Sequence, residues 1–147
     1  MAYLDESLLK RAFRARLKTV SNLPADQYLA WENQNFRPPE PDDGQPWIRE
    51  HLRILNETKS THCLIEAIGQ IQYMVNIPTD KGTRAGDDLS RSIADAFEAG
   101  QSLNLSGLTI ILERTERLPY ILDQTDPVWT FKTVQTRWRV FTVSSTP

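Results

Sequence analysis

Residues 63–77 have the sequence CLIEAIGQIQYMVNI, and they carry the strongest structural signal in the chain. Apolar or small residues occupy eight consecutive odd positions, namely Cys63, Ile65, Ala67, Gly69, Ile71, Tyr73, Val75 and Ile77. A period of two is typical of a strand with one buried face. At about 3.3 Å per residue such a strand spans roughly 50 Å, far more than the usual length of about 5 to 6 residues. We therefore expect part of it to project from the domain or to bend at Gly69.

Residues 47–55 predict a second strand that pairs with the first. Ile48, Leu52 and Ile54 share one parity, and Arg49, His51 and Arg53 share the other. Glu50 falls on the apolar face, so we expect it near an edge, a bulge or a subunit contact. A projecting hairpin over residues 47–77 would leave edges and an apolar face uncovered, and a second subunit is a common cover for such a surface. The pattern thus favours self-assembly.

The remaining periodicities complete an α+β prediction. Amphipathic helices are predicted over residues 4–20 and 85–99, and further strands over 28–32, 108–112, 118–122 and 128–143. In the last strand the apolar parity changes, which indicates a bulge near residues 132–135. We expect two helices packed on a largely antiparallel sheet with a long projecting hairpin.

Two charged segments stand out from this framework. The first helix carries a basic stripe that includes Lys10, Arg11 and Arg14, which is either a solvated face or a docking surface. Residues 33–46 contain four prolines and an acidic cluster, Glu40, Asp42 and Asp43. Proline lacks a backbone donor and restricts φ, so this segment is predicted to be a long extended loop. Loops of this length are usually functional or flexible.

Composition excludes several functional classes. The 147 residues fit one domain, residues 1–147, and the formal charge of −2 provides no global attraction to nucleic acid. One cysteine, Cys63, cannot form an intrachain disulfide. No signal peptide or membrane span is recognisable, so a soluble, cytoplasmic type of protein is expected.

The sequence carries no motif for catalysis or for a bound cofactor. His51, His62 and Cys63 do not form a defined set of metal ligands. Neither a nucleophile motif nor a phosphate-binding loop is present. We expect no catalytic residue, no metal and no cofactor. Lys132, Arg137, Trp138 and Arg139 alternate charge with an aromatic ring, as in some single-strand binders, but no nucleic-acid module accompanies them.

The order of these elements resembles the small tail terminator (tail completion) proteins of long-tailed bacteriophages, a family similar to the minor tail protein U of lambdoid phages. The resemblance rests on five segments that together cover nearly the whole chain. They are the helix ESLLKRAFRARL, the segment LAWENQNFRPPEPDDGQPWIREHL, the strand GQIQYMVNIPTDKG, the helix AGDDLSRSIADAF and the Trp-containing final strand.

The resemblance implies a virion structural protein and not an enzyme. Such proteins form a ring, generally a hexamer, that caps the tail tube, stops its polymerisation and offers its other face to the head-side connector. The implied partners are further copies of the chain, the tail tube protein, the connector or neck protein, and DNA passing through the lumen. We expect the protein in the virion tail or neck, and in the host cytoplasm during assembly.

The interface candidates combine the basic stripe, the acidic loop and three aromatic residues. The residues assigned to a subunit or tube interface are Lys10, Arg11, Arg14, Phe36, Glu40, Asp42, Asp43, Trp47 and Tyr73. Opposite charges on the stripe and the loop can pair between subunits or steer docking. A neck or head-completion protein, or a small enzyme or ligand-binding module using His51, Glu66 and the tryptophans, remains an alternative.

Overall fold

A computed structural model describes residues 4–60 and 64–143 of the protein. The elements are α1 (Glu6–Leu17), β1 (Leu29–Ala30), β2 (Trp47–Lys59), β3 (Leu64–Pro78), α2 (Arg84–Ala96), β4 (Ser102–Leu105), β5 (Leu108–Arg117), β6 (Ile121–Leu122) and β7 (Trp129–Val143). The sheet has the strand order β1-β2-β3-β7-β5-β4, with β6 paired to β7. Apart from the parallel β1–β2 pair, all the pairings are antiparallel. The predicted α+β fold, with two helices on a largely antiparallel sheet, is confirmed.

β3 lies in the middle of this sheet. Its register with β7 is continuous from Leu64 opposite Val143 to Pro78 opposite Trp129. The alternation predicted from residue 64 onwards is confirmed, whereas Cys63 lies outside the described residues. The projecting hairpin is not confirmed, because β7 is as long as β3 and pairs with it along its whole length. A long strand is covered here by another strand of the same chain.

Gly69 serves a close packing contact. A Cβ atom at this position would lie 2.2 Å from the carbonyl oxygen of Arg53 and 2.4 Å from the ring of Trp138. The Trp138 side chain is fully buried in the space that the glycine leaves. β2 also has an irregularity at Leu55, beside Gly69, where its register shifts. Bulges of this kind increase local twist and bend the strand.

Both helices cover the same face of the sheet and enclose the main core. Leu9, Phe13 and Leu17 of α1 are buried, as are Leu89 and Ile93 of α2. Asp5 caps α1, since its carboxylate accepts hydrogen bonds from the backbone N–H groups of Ser7 and Leu8 at 3.0 and 3.3 Å. The apolar faces predicted for the two helices are therefore the faces that pack on the sheet.

A second, smaller core lies on the opposite face of the sheet. It contains Ala30, Trp47 and Trp129, against which Tyr28 and Phe36 pack. The predicted bulge near residues 132–135 is wrong, because β7 keeps its register with β3 throughout. The apolar parity of β7 changes because its first residues are buried by this second core and its later residues by the main core.

Short elements differ most from the sequence prediction. β1 contains two residues of the strand predicted over 28–32, and β6 contains two of the strand predicted over 118–122. The sequence does not predict β4. The pairing of β5 with β7 has a register shift, and it lies in β5, between Leu112 and Arg114. Short edge strands contain too few residues for a periodic pattern to be distinct.

Candidate functional site

An ion pair between α1 and β2 lies at the edge of the main core. Nε of Arg14 lies 3.1 and 3.0 Å from the two carboxylate oxygens of Glu50, and its Nη2 lies 2.6 Å from Oε1. Glu50 is 3% exposed, and a buried carboxylate is costly unless a hydrogen-bonded cation accompanies it, as Arg14 does here. The hydrogen bond to Glu50 raises the pKa of the Arg14 guanidinium, against the opposing effect of burial. Glu50 breaks the alternation of β2 because it anchors α1.

Glu32 extends this network along the edge of β2. Its carboxylate lies 3.6 Å from Nζ of Lys10 and 3.4 Å from Nδ1 of His51. It also accepts a hydrogen bond from the backbone N–H of Leu52 at 3.2 Å. Lys10 and Arg14, two residues of the predicted basic stripe, thus have carboxylate partners within the subunit. Arg11, the third, is exposed and has no such partner among the described residues.

Two of the predicted interface aromatics are buried inside the subunit. Tyr73 is 1% exposed in the main core, and Trp47 is 3% exposed in the second core. The hydroxyl of Tyr73 has no hydrogen-bond partner among the described residues. Burial, and to a lesser extent the charge of Glu50, raises the pKa of Tyr73 well above its usual value. While the subunit keeps this fold, neither ring presents its face to a neighbour.

Phe36 fixes the proline-rich loop to the sheet. Its ring centroid lies 4.9 Å from that of Trp47, and Trp47 meets Trp129 edge to face at 5.7 Å. From this anchor the chain runs to a single 3₁₀ turn, Pro41–Asp43, which ends at Gly44 in the left-handed region with φ 68°. We define the acidic turn as Glu40, Asp42 and Asp43. All three side chains are exposed, and none has a cationic partner in the described part of the chain.

The side of the sheet away from the helices carries a row of arginines. We define the arginine row as Arg53 of β2, Arg137 of β7 and Arg114 of β5. Gln70 of β3 lies directly opposite Arg53 and Arg137, and Arg137 lies directly opposite Arg114. All three arginines are exposed. Arg114 lies 3.6 Å from Glu116, whereas Arg53 and Arg137 have no carboxylate partner among the described residues.

Like charges placed directly opposite each other in an antiparallel pair are destabilising. The pairing of Arg114 with Arg137 across the two strands therefore does not stabilise the isolated subunit. Sequence reasoning missed Arg53 and Arg114 as site residues, because the sheet brings together strands that are distant in the chain. The alternation of polar and apolar residues indicates that these side chains are exposed, but it does not indicate that they lie close together.

The aromatic residue of the predicted nucleic-acid segment is not available for base stacking. Trp138 is fully buried, with its ring centroid 6.0 Å from that of Phe13. Arg139 is exposed but lies 3.2 Å from a carboxylate oxygen of Glu113. Lys132 lies over the ring of Tyr120 at 4.7 Å. Arg137 alone of the three cations in that segment belongs to the arginine row.

A tyrosine–carboxylate pair connects α2 to the segment between β5 and β6. The hydroxyl of Tyr120 donates to Asp87 at 2.7 Å, and Thr83 donates to the same carboxylate at 3.1 Å. The hydrogen bond from Tyr120 lowers the pKa of Asp87, while burial and that bond raise the pKa of Tyr120. Both groups therefore keep their ordinary charge states near neutral pH, and the pair positions the helix.

The described residues contain neither a cluster of metal ligands nor a helix that could span a membrane. Residues 4–60 and 64–143 contain no group of three or more His, Cys, Asp or Glu side chains that could hold a metal ion. His62 and Cys63 lie outside these ranges. Neither helix of the same ranges is long and apolar enough to cross a membrane.

Comparison with family models identifies one family. A family model described as phage tail terminator protein matches residues 8–138. One solved protein, whose name states no function, superposes with a TM-score of 0.68 at 18% identity, covering 93% of this chain and 96% of its own. A chain from the virion of a native gene transfer agent particle superposes with a TM-score of 0.54 at 16% identity, covering 92% and 96%. At these identities the superpositions show a shared fold. A search of curated proteins finds no match.

Proposed function

Because the chain belongs to the phage tail terminator family, we propose that it forms a ring that caps the tail tube, stops its polymerisation and provides the attachment surface for the head-side connector. The observation that carries this proposal is the family match over residues 8–138, which spans both helices and most of the sheet. The family is a structural one, so the protein is a structural component of the phage virion. The capping and attachment steps are the proposal.

The surface of the subunit supports an assembly role. Its exposed charges include the acidic turn at one end of the sheet, and Arg11 and the arginine row at other places. Complementary charges orient partners and raise their association rate. We assign the exposed interface candidates, Arg11 and the acidic turn, to contacts with other virion proteins or other copies. Phe36 acts there by holding the loop in place.

The proposed assembly is a homo-hexamer in the neck region of the virion. One side of the ring would bind the last ring of tail tube protein, and the other side the connector or neck protein. DNA would pass through the lumen with passive contacts only. Ring closure requires two different surfaces on each subunit, because a head-to-tail interface is heterologous. Assembly would take place in the host cytoplasm.

Electron microscopy of phage tails made without this protein tests the proposal. We expect tubes of abnormal length that fail to join heads, and restoration of normal length when the protein is supplied in trans. Tails of normal length that still fail to join heads would contradict termination and would favour a neck or head-completion role. Normal virions formed without the protein would contradict both roles.

A further inference from the structure

We propose that the acidic turn of one copy docks on the arginine row of the next copy, and that this contact is the heterologous interface that closes the ring. The inference rests on the proposed function, since it specifies how the ring is held together. It names one partner, a second copy of this chain, and one chemistry, carboxylates of Glu40, Asp42 and Asp43 on guanidinium groups.

The two surfaces are opposite in charge, and of their described residues only Arg114 has an oppositely charged partner within the subunit. Asp42 and Asp43 project from a single turn, next to each other and exposed. Arg53 and Arg137 are exposed and have no carboxylate partner among the described residues. Guanidinium groups bind carboxylates with charge-assisted and often bidentate hydrogen bonds. A carboxylate placed between Arg137 and Arg114 would also relieve the repulsion between these two directly opposed side chains.

The two surfaces are too far apart to meet in one copy. Pro41 and Asp42 line a cleft with Pro78 at the end of β3. The arginine row crosses β3 at Gln70, eight residues earlier, which is about 26 Å along the strand. Contact therefore requires a second copy. An interface that joins two different surfaces repeats from subunit to subunit and gives a ring when the rotation closes.

Apolar side chains beside the row favour a protein partner over a nucleic acid. Ile68 and Ile111 flank Arg139 in the neighbouring row, and Phe141 follows on the same face. These three apolar side chains are 37–38% exposed. Exposed apolar groups rimmed by charge are typical of protein interfaces. The loop that carries the acidic turn offers Pro38 and Pro39 as apolar counterparts.

The proline-rich loop that carries the acidic turn loses little conformational entropy when it binds its partner. Its prolines restrict the backbone, and Phe36 anchors it on Trp47. Preorganisation of a binding segment increases affinity because less freedom is lost on association. The rigid sheet holds the arginines on the other side of the contact. Both partners of the proposed interface are therefore formed before they meet.

Paired charge reversal tests the contact. One variant is Asp42→Lys/Asp43→Lys, and the other is Arg53→Glu/Arg137→Glu. Ring formation is measured by sedimentation velocity and electron microscopy, for each protein alone and with its tail tube protein. We expect wild type to form rings, and each variant alone to need at least about tenfold more protein for half-assembly. A 1:1 mixture should restore assembly, because each variant then meets a complementary neighbour on both sides.

The restored rings should contain the two variants in equal number, as alternation around the ring requires, and mass spectrometry of the intact rings measures that ratio. Arg91→Glu is the matched control, because it reverses an exposed arginine of α2, on the helix side of the sheet, and we expect it to assemble as wild type does. Thermal unfolding of every variant checks that the subunit keeps its fold.

Three results would overturn the inference. The first is assembly of both variants at wild-type concentrations, and the second is loss of assembly that the mixture does not restore. The third is an Arg53→Glu/Arg137→Glu variant that forms normal rings but loses salt-dependent binding to double-stranded DNA, which would assign the row to nucleic acid. In all three the wild-type rings remain, so the proposed function stands. Absence of wild-type rings on the tail tube would instead reject the ring itself.

Discussion

Arg14 and Arg137 lie on opposite sides of the same sheet, and they differ in what surrounds them. Arg14 reaches from α1 to the buried carboxylate of Glu50, and its guanidinium lies 4.9 Å above the ring of Trp31. Arg137 projects from the side without helices and faces Gln70 and a second arginine, Arg114. Arg14 therefore stabilises the contact between α1 and the sheet, whereas Arg137 is repelled by the like charge of Arg114.

This difference separates structural charges from charges that are available to a partner. On the helix side, the carboxylates of Glu50 and Glu32 pair with two cations of α1, Arg14 and Lys10. On the other side, the isolated subunit offers Arg53 and Arg137 no carboxylate among the described residues. A charged stripe on a helix was the obvious docking surface in the sequence, yet in the structure much of it is engaged internally. The less obvious cations, Arg53 of β2 and Arg137 of β7, are the ones without a carboxylate partner in the described part of the chain.

The largest expected effect follows from removal of the buried carboxylate. Glu50→Ala should lower the free energy of unfolding by about 3 kcal/mol, because Arg14 loses its partner at the edge of the core. The backbone N–H of Glu32 loses an acceptor as well. Urea denaturation followed by circular dichroism measures the change.

Glu113→Ala is the matched control for this prediction. Glu113 pairs with Arg139 on the side without helices, and both side chains are part-exposed. Exposed pairs contribute about 0–1 kcal/mol, so the control should lose at most that amount. Equal losses in the two variants would remove the distinction between the faces.

The next effect compares two adjacent residues of β3 that face opposite ways. Gly69→Ala should destabilise the protein by about 2 kcal/mol, because the added methyl group overlaps the Arg53 carbonyl and the Trp138 ring. Gln70→Ala, on the side without helices, should change stability by less than about 0.5 kcal/mol. Thermal and urea unfolding report both values. A Gly69→Ala protein as stable as wild type would show that Trp138 can move aside.

A smaller effect of opposite sign is expected at Tyr73. Its buried hydroxyl has no partner among the described residues, so Tyr73→Phe should stabilise the protein by about 1 kcal/mol near neutral pH. Burial also raises the pKa of Tyr73, so the folded state retains this proton at pH values where the unfolded state has lost it. Above pH 10 the unfolded state therefore binds fewer protons, and stability falls by up to about 1.4 kcal/mol per pH unit from this group.

Tyr73→Phe should remove the loss of stability above about pH 10 that comes from this hydroxyl. Unfolding curves between pH 8 and about 11 measure the change. Tyr28→Phe, a change at a half-buried ring of the second core, should keep that loss. An unchanged alkaline slope in Tyr73→Phe would mean that the hydroxyl is solvated in the folded protein.

The smallest effect is predicted for the arginine row itself. Arg137→Ala should leave stability within about 0.5 kcal/mol of wild type, with a slight gain, because it removes the like charge opposite Arg114. Added salt should reduce the gain by screening the repulsion. Unfolding at low and high ionic strength measures both. A clear loss of stability would show that Arg137 has a structural partner.

The strand alternation and the helix periodicities were sufficient to predict the class of fold. The alternation places the buried side chains of β3 correctly up to Val75, since a period of two depends on the backbone alone, whereas Asn76 on the opposite face is buried as well. The apolar stripe of α1 identifies its packing face in the same way, because the period of 3.6 residues depends on the helical backbone. β4 and the bounds of β1 and β6 could not be predicted, because strands of two to four residues show no period.

The candidate site was predictable only in part. The exposure of Glu40, Asp42 and Asp43 follows from prolines that exclude helix and central strand. The engagement of Arg14 did not follow from its helix position, since its partner Glu50 lies 36 residues away. Arg53, Arg114 and Arg137 become neighbours only through the strand order.

The amino-acid sequence alone is sufficient to predict long alternating strands, two amphipathic helices and an acidic, proline-rich loop. These features are local, because they depend on side-chain period and on the restricted backbone of proline. Long-range contacts in the fold place β7 beside β3, bring Trp47 and Trp129 together in a core on the second face, and pair Lys10 and Arg14 of the basic helix with carboxylates of the same subunit. Strand order and register decide which distant side chains meet, and those contacts determine which charges remain for a partner.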